Sequence, residues 1–177
     1  MNPGTPATSR PGFSLIEVVI ATSILGAAVL SLFYAQHAFH ASNGEAREKT
    51  VALGLANELR EMTLMLPVRD PINPSGAFGP EPDETDVAQY DDVDDYDGGG
   101  QGMTFNPPID AMGQAVDEMA DWSQTIFVES VDPTNLSGPA IADGASDLIR
   151  MTVAVSRRTP DDGWREVTRL TWLRTPE

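Results

Sequence analysis

Hydrophobic and polar positions change abruptly after residue 12. Met1 to Gly12 is polar and rich in Pro, Thr and Ser, with Arg10 as its one base. Phe13 to Ala35 is then apolar or small apart from Glu17 and a few hydroxyls, and Val18 to Ala35 carries no charge over 18 residues. That length predicts a helix able to cross a bilayer. Further on, Ala52, Leu55, Leu59, Met62 and Leu66 recur at spacings of three and four, a narrow apolar stripe with Arg47, Lys49, Glu58, Arg60 and Glu61 mostly off it. One helix is therefore expected from Phe13 to Leu66, stopped by Pro67 and loosened or bent near Gly44.

The second half changes period. Asp70 to Pro82 holds Pro71, Pro74, Pro80, Pro82, Gly76 and Gly79 and reads as a loop. Gln89 to Gly102 is acidic and glycine-rich, and Asp110 to Asp121 has room for a short helix weakened by Gly113. Three strands are expected after that. They are Ser123 to Val131; Leu148 to Val155, with Ile149, Met151, Val153 and Val155 on one face; and Arg165 to Arg174, with Val167, Thr171 and Leu173 opposite Thr168, Leu170 and Trp172. Between the last two, Pro160-Asp161-Asp162-Gly163 is a turn signal, because Pro presets φ and Gly permits positive φ. The expected fold class is α+β, a long N-terminal helix packed on a small antiparallel sheet. Trp122, Trp164 and Trp172 are expected to fill the core between them.

Charge narrows the function classes. The chain has 177 residues, 27 acids, 11 bases and no cysteine. No disulfide or thiolate site is possible, so stability must come from packing or from an ion. Residues 67–147 hold 18 acids against Arg69 alone, while residues 148–177 hold six arginines against four acids. So acidic a surface repels nucleic-acid phosphates, and no nucleic-acid partner is expected. His37 and His40 are the only histidines. Their i, i+3 spacing without a local carboxylate makes a poor metal site, and with both histidines on the stalk helix no Ser/His/Asp set is credible. No enzyme is expected.

The N-terminal segment has three readings. A secretory signal peptide has a shorter apolar core, about 7–15 residues, and a small-x-small cleavage site after it. A plain single-pass anchor fits the length but leaves Glu17 unexplained, since a carboxylate at bilayer depth costs roughly 2.5–3.5 kcal/mol. The third reading rests on Gly12-Phe13-Ser14-Leu15-Ile16-Glu17-Val18, which resembles the processing motif of type IV prepilins and pseudopilins. The resemblance covers the leader and first helix, about a quarter of the chain. It implies a leader of residues 1–12, cleavage by a membrane prepilin peptidase between Gly12 and Phe13, and N-methylation of Phe13. It implies a filament-core helix over 13–35, continued over 36–66, then a loop region 67–122 and a sheet 123–177. It also gives Glu17 a role in subunit assembly, pairing with the Phe13 amine of a neighbouring subunit. The expected location is the bacterial inner membrane, single-pass with the C-terminal domain extracytoplasmic, and a pilus or pseudopilus after assembly. The partners implied are the prepilin peptidase/N-methyltransferase, other pilins or pseudopilins, and the membrane. The missing disulfide and the unusual acidic loop suggest a minor pilin or minor pseudopilin.

That loop, Asp91-Asp92-Val93-Asp94-Asp95-Tyr96-Asp97-Gly98, joins Glu81, Asp83, Glu84 and Asp86 to give nine acids in 17 residues. Clustered carboxylates are hard ligands suited to calcium, with Asp92, Asp94, Asp95 and Asp97 as candidates. EF-hand spacing fails, because Val93 would fall at the first ligand position. Some pseudopilins hold calcium in a loop of the soluble domain, and a similar Asp-Val-Asp-Asp-Tyr run recurs in some minor pilins. The alternative is a solvated, ion-free acidic loop in which carboxylates titrate normally. The alternative function is a membrane-tethered acidic interaction module, with or without calcium, that does not polymerise.

Overall fold

The computed structural model describes residues 12–72, 78–161 and 163–176. The leader up to Pro11, residues 73–77 with Pro74 and Gly76, and Asp162 of the expected turn lie outside them. The chain divides into two compact units, one up to Glu45 and one from Ala46 to Glu177. Helix α1, Leu15–Leu64, contributes to both.

The helix starts two residues later than expected because Ser14 caps it. Its Oγ accepts from the Glu17 amide at 3.3 Å, satisfying a donor that a first helical turn cannot pair internally. Glu17 itself sits in that first turn, where the helix dipole favours a carboxylate. From Leu15 to Glu45 every residue is exposed, and apolar side chains point out on all sides. Three hydroxyls in the apolar part of this stretch bond back to the helix. Thr22, Ser23 and Ser31 donate to the carbonyls of Val18, Val19 and Ala27 at 2.8–2.9 Å, so these three are paired in an apolar surrounding. The helix is long and apolar enough to span a membrane. It continues unbroken through Gly44, where the pattern suggested loosening.

In the second unit the stripe does what its spacing predicts. Ala52, Leu55 and Leu59 are buried, joined by Ala56 and Thr63, while Met62 and Leu66 pack at the margin. The last turn tightens, with Met65 N–H reaching the Met62 carbonyl. The end is then capped from far along the chain, as the Arg174 guanidinium donates to the Thr63 carbonyl and, at 2.8 Å, to that of Leu66.

The sheet has four antiparallel strands in sequential order: β1 (Met103–Phe105), β2 (Trp122–Ser130), β3 (Ile149–Thr159) and β4 (Gly163–Arg174). The three expected strands are present, and β3 and β4 reach further toward their shared turn. Thr159 pairs with Gly163, whose φ of 73° is why glycine ends that turn. β1 was not expected, since three residues are too few to show an alternation. Ile126, Val153 and Leu170 lie side by side across three strands, and Ile149, Met151, Val153 and Val155 are all fully buried as the alternation requires.

Two expectations are corrected. A bulge at Val155/Ser156 skips Val167 in the β3–β4 register, so Val167 joins Leu170 and Trp172 against the core and Leu173 is exposed. Trp164 does not fill the core and is 47% exposed at the turn; Trp122 is buried and Trp172 packs at the core margin.

Candidate functional site

Gly12, Phe13 and Ser14 form an exposed, non-helical stub directly ahead of α1. Phe13 is 83% exposed. The Gly12–Phe13 bond therefore lies outside the helix, and Glu17 follows it within the first turn. His37 and His40 lie on the same exposed stretch of α1, with Phe39 edge-on to His40.

The acidic run is folded into the core of the second unit. Val93 and Tyr96 belong to the main apolar cluster and are 0% and 1% exposed, so the acids between and beside them are carried inside. Asp94–Asp97 forms one 3-10 turn, the Val93 amide donates to the Pro67 carbonyl at 3.0 Å, and Tyr96 meets Tyr90 edge-on and Met62 by its hydroxyl. Gly98 leaves the turn at φ 62°, and a Cβ there would stand 2.7 Å from the Gly102 carbonyl group. The expectation of a solvated loop with ordinary acids is thus overturned: Asp92, Asp94, Asp95 and Asp97 are 1–6% exposed.

The backbone holds part of each carboxylate. Asp92 Oδ1 accepts from the amides of Asp94 and Asp95, and Asp95 Oδ2 accepts from those of Asp91 and Asp92. Asp94 Oδ2 takes the Gly79 amide, and Asp97 Oδ2 takes that of Gly100. Asp94 Oδ1 and Asp95 Oδ1 are buried with no donor. Of the four candidate ligands, Asp92 and Asp95 come together with Asp91, and Asp95 also with Glu81 and Glu84; in each trio one oxygen per residue lies within 4.8 Å of the others. Asp94 and Asp97 fall outside both trios.

So many carboxyls in one place resist ionisation. Burial, reinforced by Asp94 and then Asp95, pushes Asp92 up to about 9. The carboxyl of Glu84, hydrogen-bonded to that of Glu81, pushes Glu81 up to about 7. Burial also raises Glu84, Asp95 and Asp97, against the lowering effect of the amides they accept from. The Glu84–Asp95 contact is a hydrogen bond only while a proton sits between them. With both ionised, Glu84 and Asp95 repel each other, and Asp95 Oδ1 is buried with no donor.

Sequence reasoning missed Gln124. It is fully buried, donates from Nε2 to the carbonyls of Leu55 and Ile109, and accepts the Ile109 amide, so it joins α1, β2 and the 107–109 segment. Its strand also carries Ser123, Thr125, Glu129 and Ser130, so nothing in the sequence marked Gln124 out. No family model, curated protein or solved structure matches this chain.

Proposed function

We propose that the protein is a structural filament subunit, a minor pilin or minor pseudopilin of a type IV pilus or type II secretion pseudopilus, with no catalytic role. A membrane prepilin peptidase cuts between Gly12 and Phe13 and methylates Phe13. The apolar helix first holds the chain in the inner membrane and then packs against other subunits, with Glu17 pairing to a neighbour's Phe13 amine. The observation that carries this reading is the exposed, non-helical Gly12–Phe13 junction directly before an all-round apolar helix with a single acid in its first turn. An antiparallel sheet on the later part of that helix is compatible with it.

N-terminal peptide mass spectrometry on protein from its native cells tests the reading. A mature chain starting at methylated Phe13 is the expected result. A chain still starting at Met1 or Asn2 beside an active prepilin peptidase overturns it.

A second reading is a tethered module that never polymerises, and the place of Glu17 in the first turn of α1 favours it. The dipole of the first turn gives the Glu17 carboxylate a local role that needs no neighbouring subunit. Glu17→Ala separates the two: lost assembly with an unchanged second unit supports the filament, and unchanged function supports the tether.

A further inference from the structure

We infer that His37 and His40 together hold the phosphate of a membrane phospholipid where α1 leaves the bilayer, and that this anchorage tightens as that face of the membrane turns acidic. The uncharged apolar run ends at Ala35. A helix rises about 1.5 Å per residue, so His37 and His40 stand about 3 and 8 Å beyond it along the axis. The headgroup layer adds about 5–8 Å to each side of the hydrocarbon, so both imidazoles fall at its depth. Residues three apart are neighbours on one helix face. Both histidines are exposed, and α1 runs unbroken through them. Phe33, Tyr34 and Phe39 are exposed beside them, and Phe39 meets His40 edge-on. Tyrosine is enriched where hydrocarbon gives way to headgroups, so Tyr34 marks the same level.

The charges along this stretch point to phosphate as the partner. From Val18 to Gly44 the chain has no acid, lysine or arginine, and Tyr34, His37 and His40 are its titratable side chains. One turn from His37 stand Phe33, Tyr34 and Ala41; one turn from His40 stand Gln36, Asn43 and Gly44. None of these neutralises an imidazolium. Glu45, five residues past His40, is turned about 140° away from it around the helix. Every residue of α1 up to Glu45 is exposed, so no other described element packs here to supply a counter-charge. Two imidazolium groups one turn apart repel each other. A phosphate between them removes that repulsion and accepts a charge-assisted bond of about 2.7–2.9 Å from each. Lysine or arginine at this depth would stay charged at any physiological pH, whereas an imidazole gains its charge only near and below neutrality. Withdrawing the helix from the bilayer therefore breaks two charged bonds when this face is acidic and none when both rings are neutral. The inference rests on the membrane-anchored reading of α1 and deepens it by naming the lipid contact.

The test uses the full chain with 15N-labelled histidine in vesicles of phosphatidylethanolamine and phosphatidylglycerol. The buffer is phosphate-free, so lipid is the one source of phosphorus. With two histidines in the chain, each imidazole is assigned by a single substitution. Solid-state NMR measures the loss of 15N signal caused by nearby 31P. At pH 5 both imidazoles are expected to lose signal to lipid phosphorus, and at pH 8 that loss is expected to fall by at least about half. His37→Gln keeps a good helix former at an exposed site and is expected to weaken the loss at His40, because the two share one phosphate. No loss at pH 5, an equal loss at pH 8, or an unchanged His40 in His37→Gln overturns the inference. Retention through an alkaline carbonate wash reports insertion separately. A chain that washes off fails the anchored reading and takes the inference with it, whereas a retained chain with silent imidazoles overturns the inference alone.

Discussion

At neutral pH the folded protein keeps Asp92 protonated, although the same residue ionises near pH 4 in an unfolded chain. Between those limits the folded state binds more protons than the unfolded one, so stability falls as pH rises. The contribution is complete below about pH 4 and is lost progressively up to about 9; Glu81 adds a similar loss up to about 7. The protein is therefore expected to melt higher at pH 5 than at pH 8. A melting point that climbs from pH 5 to pH 8 would contradict this. Gly98 is a second sensitive residue. Its positive φ and the 2.7 Å approach of the Gly102 carbonyl group leave no room for a Cβ. Gly98→Ala is expected to cost roughly 1–3 kcal/mol from backbone strain, measured by urea unfolding, and more if the turn cannot shift.

Among the elements, α1 and β2 are joined by both apolar packing and one polar side chain. Leu59 is fully buried in the stripe, so Leu59→Ala is expected to lose about 2–5 kcal/mol. Gln124→Ala removes three hydrogen bonds at once and leaves the Ile109 amide and carbonyl without partners, for an expected loss of about 2–4 kcal/mol in the same assay. These elements were unequally legible in the sequence. The helical stripe and the β3 alternation are period signals, and both hold in the structure because one face of each meets a single core. Val167 broke its pattern because a bulge is set by pairing with β3 and not by its own strand. The acidic run was misread because burial is judged from average polarity. Val93 and Tyr96, three apart among five aspartates, were the residues that determine where it goes.

For the whole molecule, the division at Glu45/Ala46 separates a helix segment with no buried residue from a unit with its own core. A chain starting at Ala46 is expected to stay soluble without detergent and to unfold in one cooperative step seen alike by near-UV and far-UV circular dichroism. The full chain is expected to partition into the detergent phase. Coincident transitions lost on truncation would mean that the second unit needs residues before Ala46. One contact also decides how this unit carries force. Arg174 grips the carbonyls at the end of α1, and the same residue pairs with Ile149 at the start of β3. A pull on the C-terminal end of α1 is therefore shared with the β3–β4 ladder, the longest in the sheet, through one guanidinium as well as through the covalent chain.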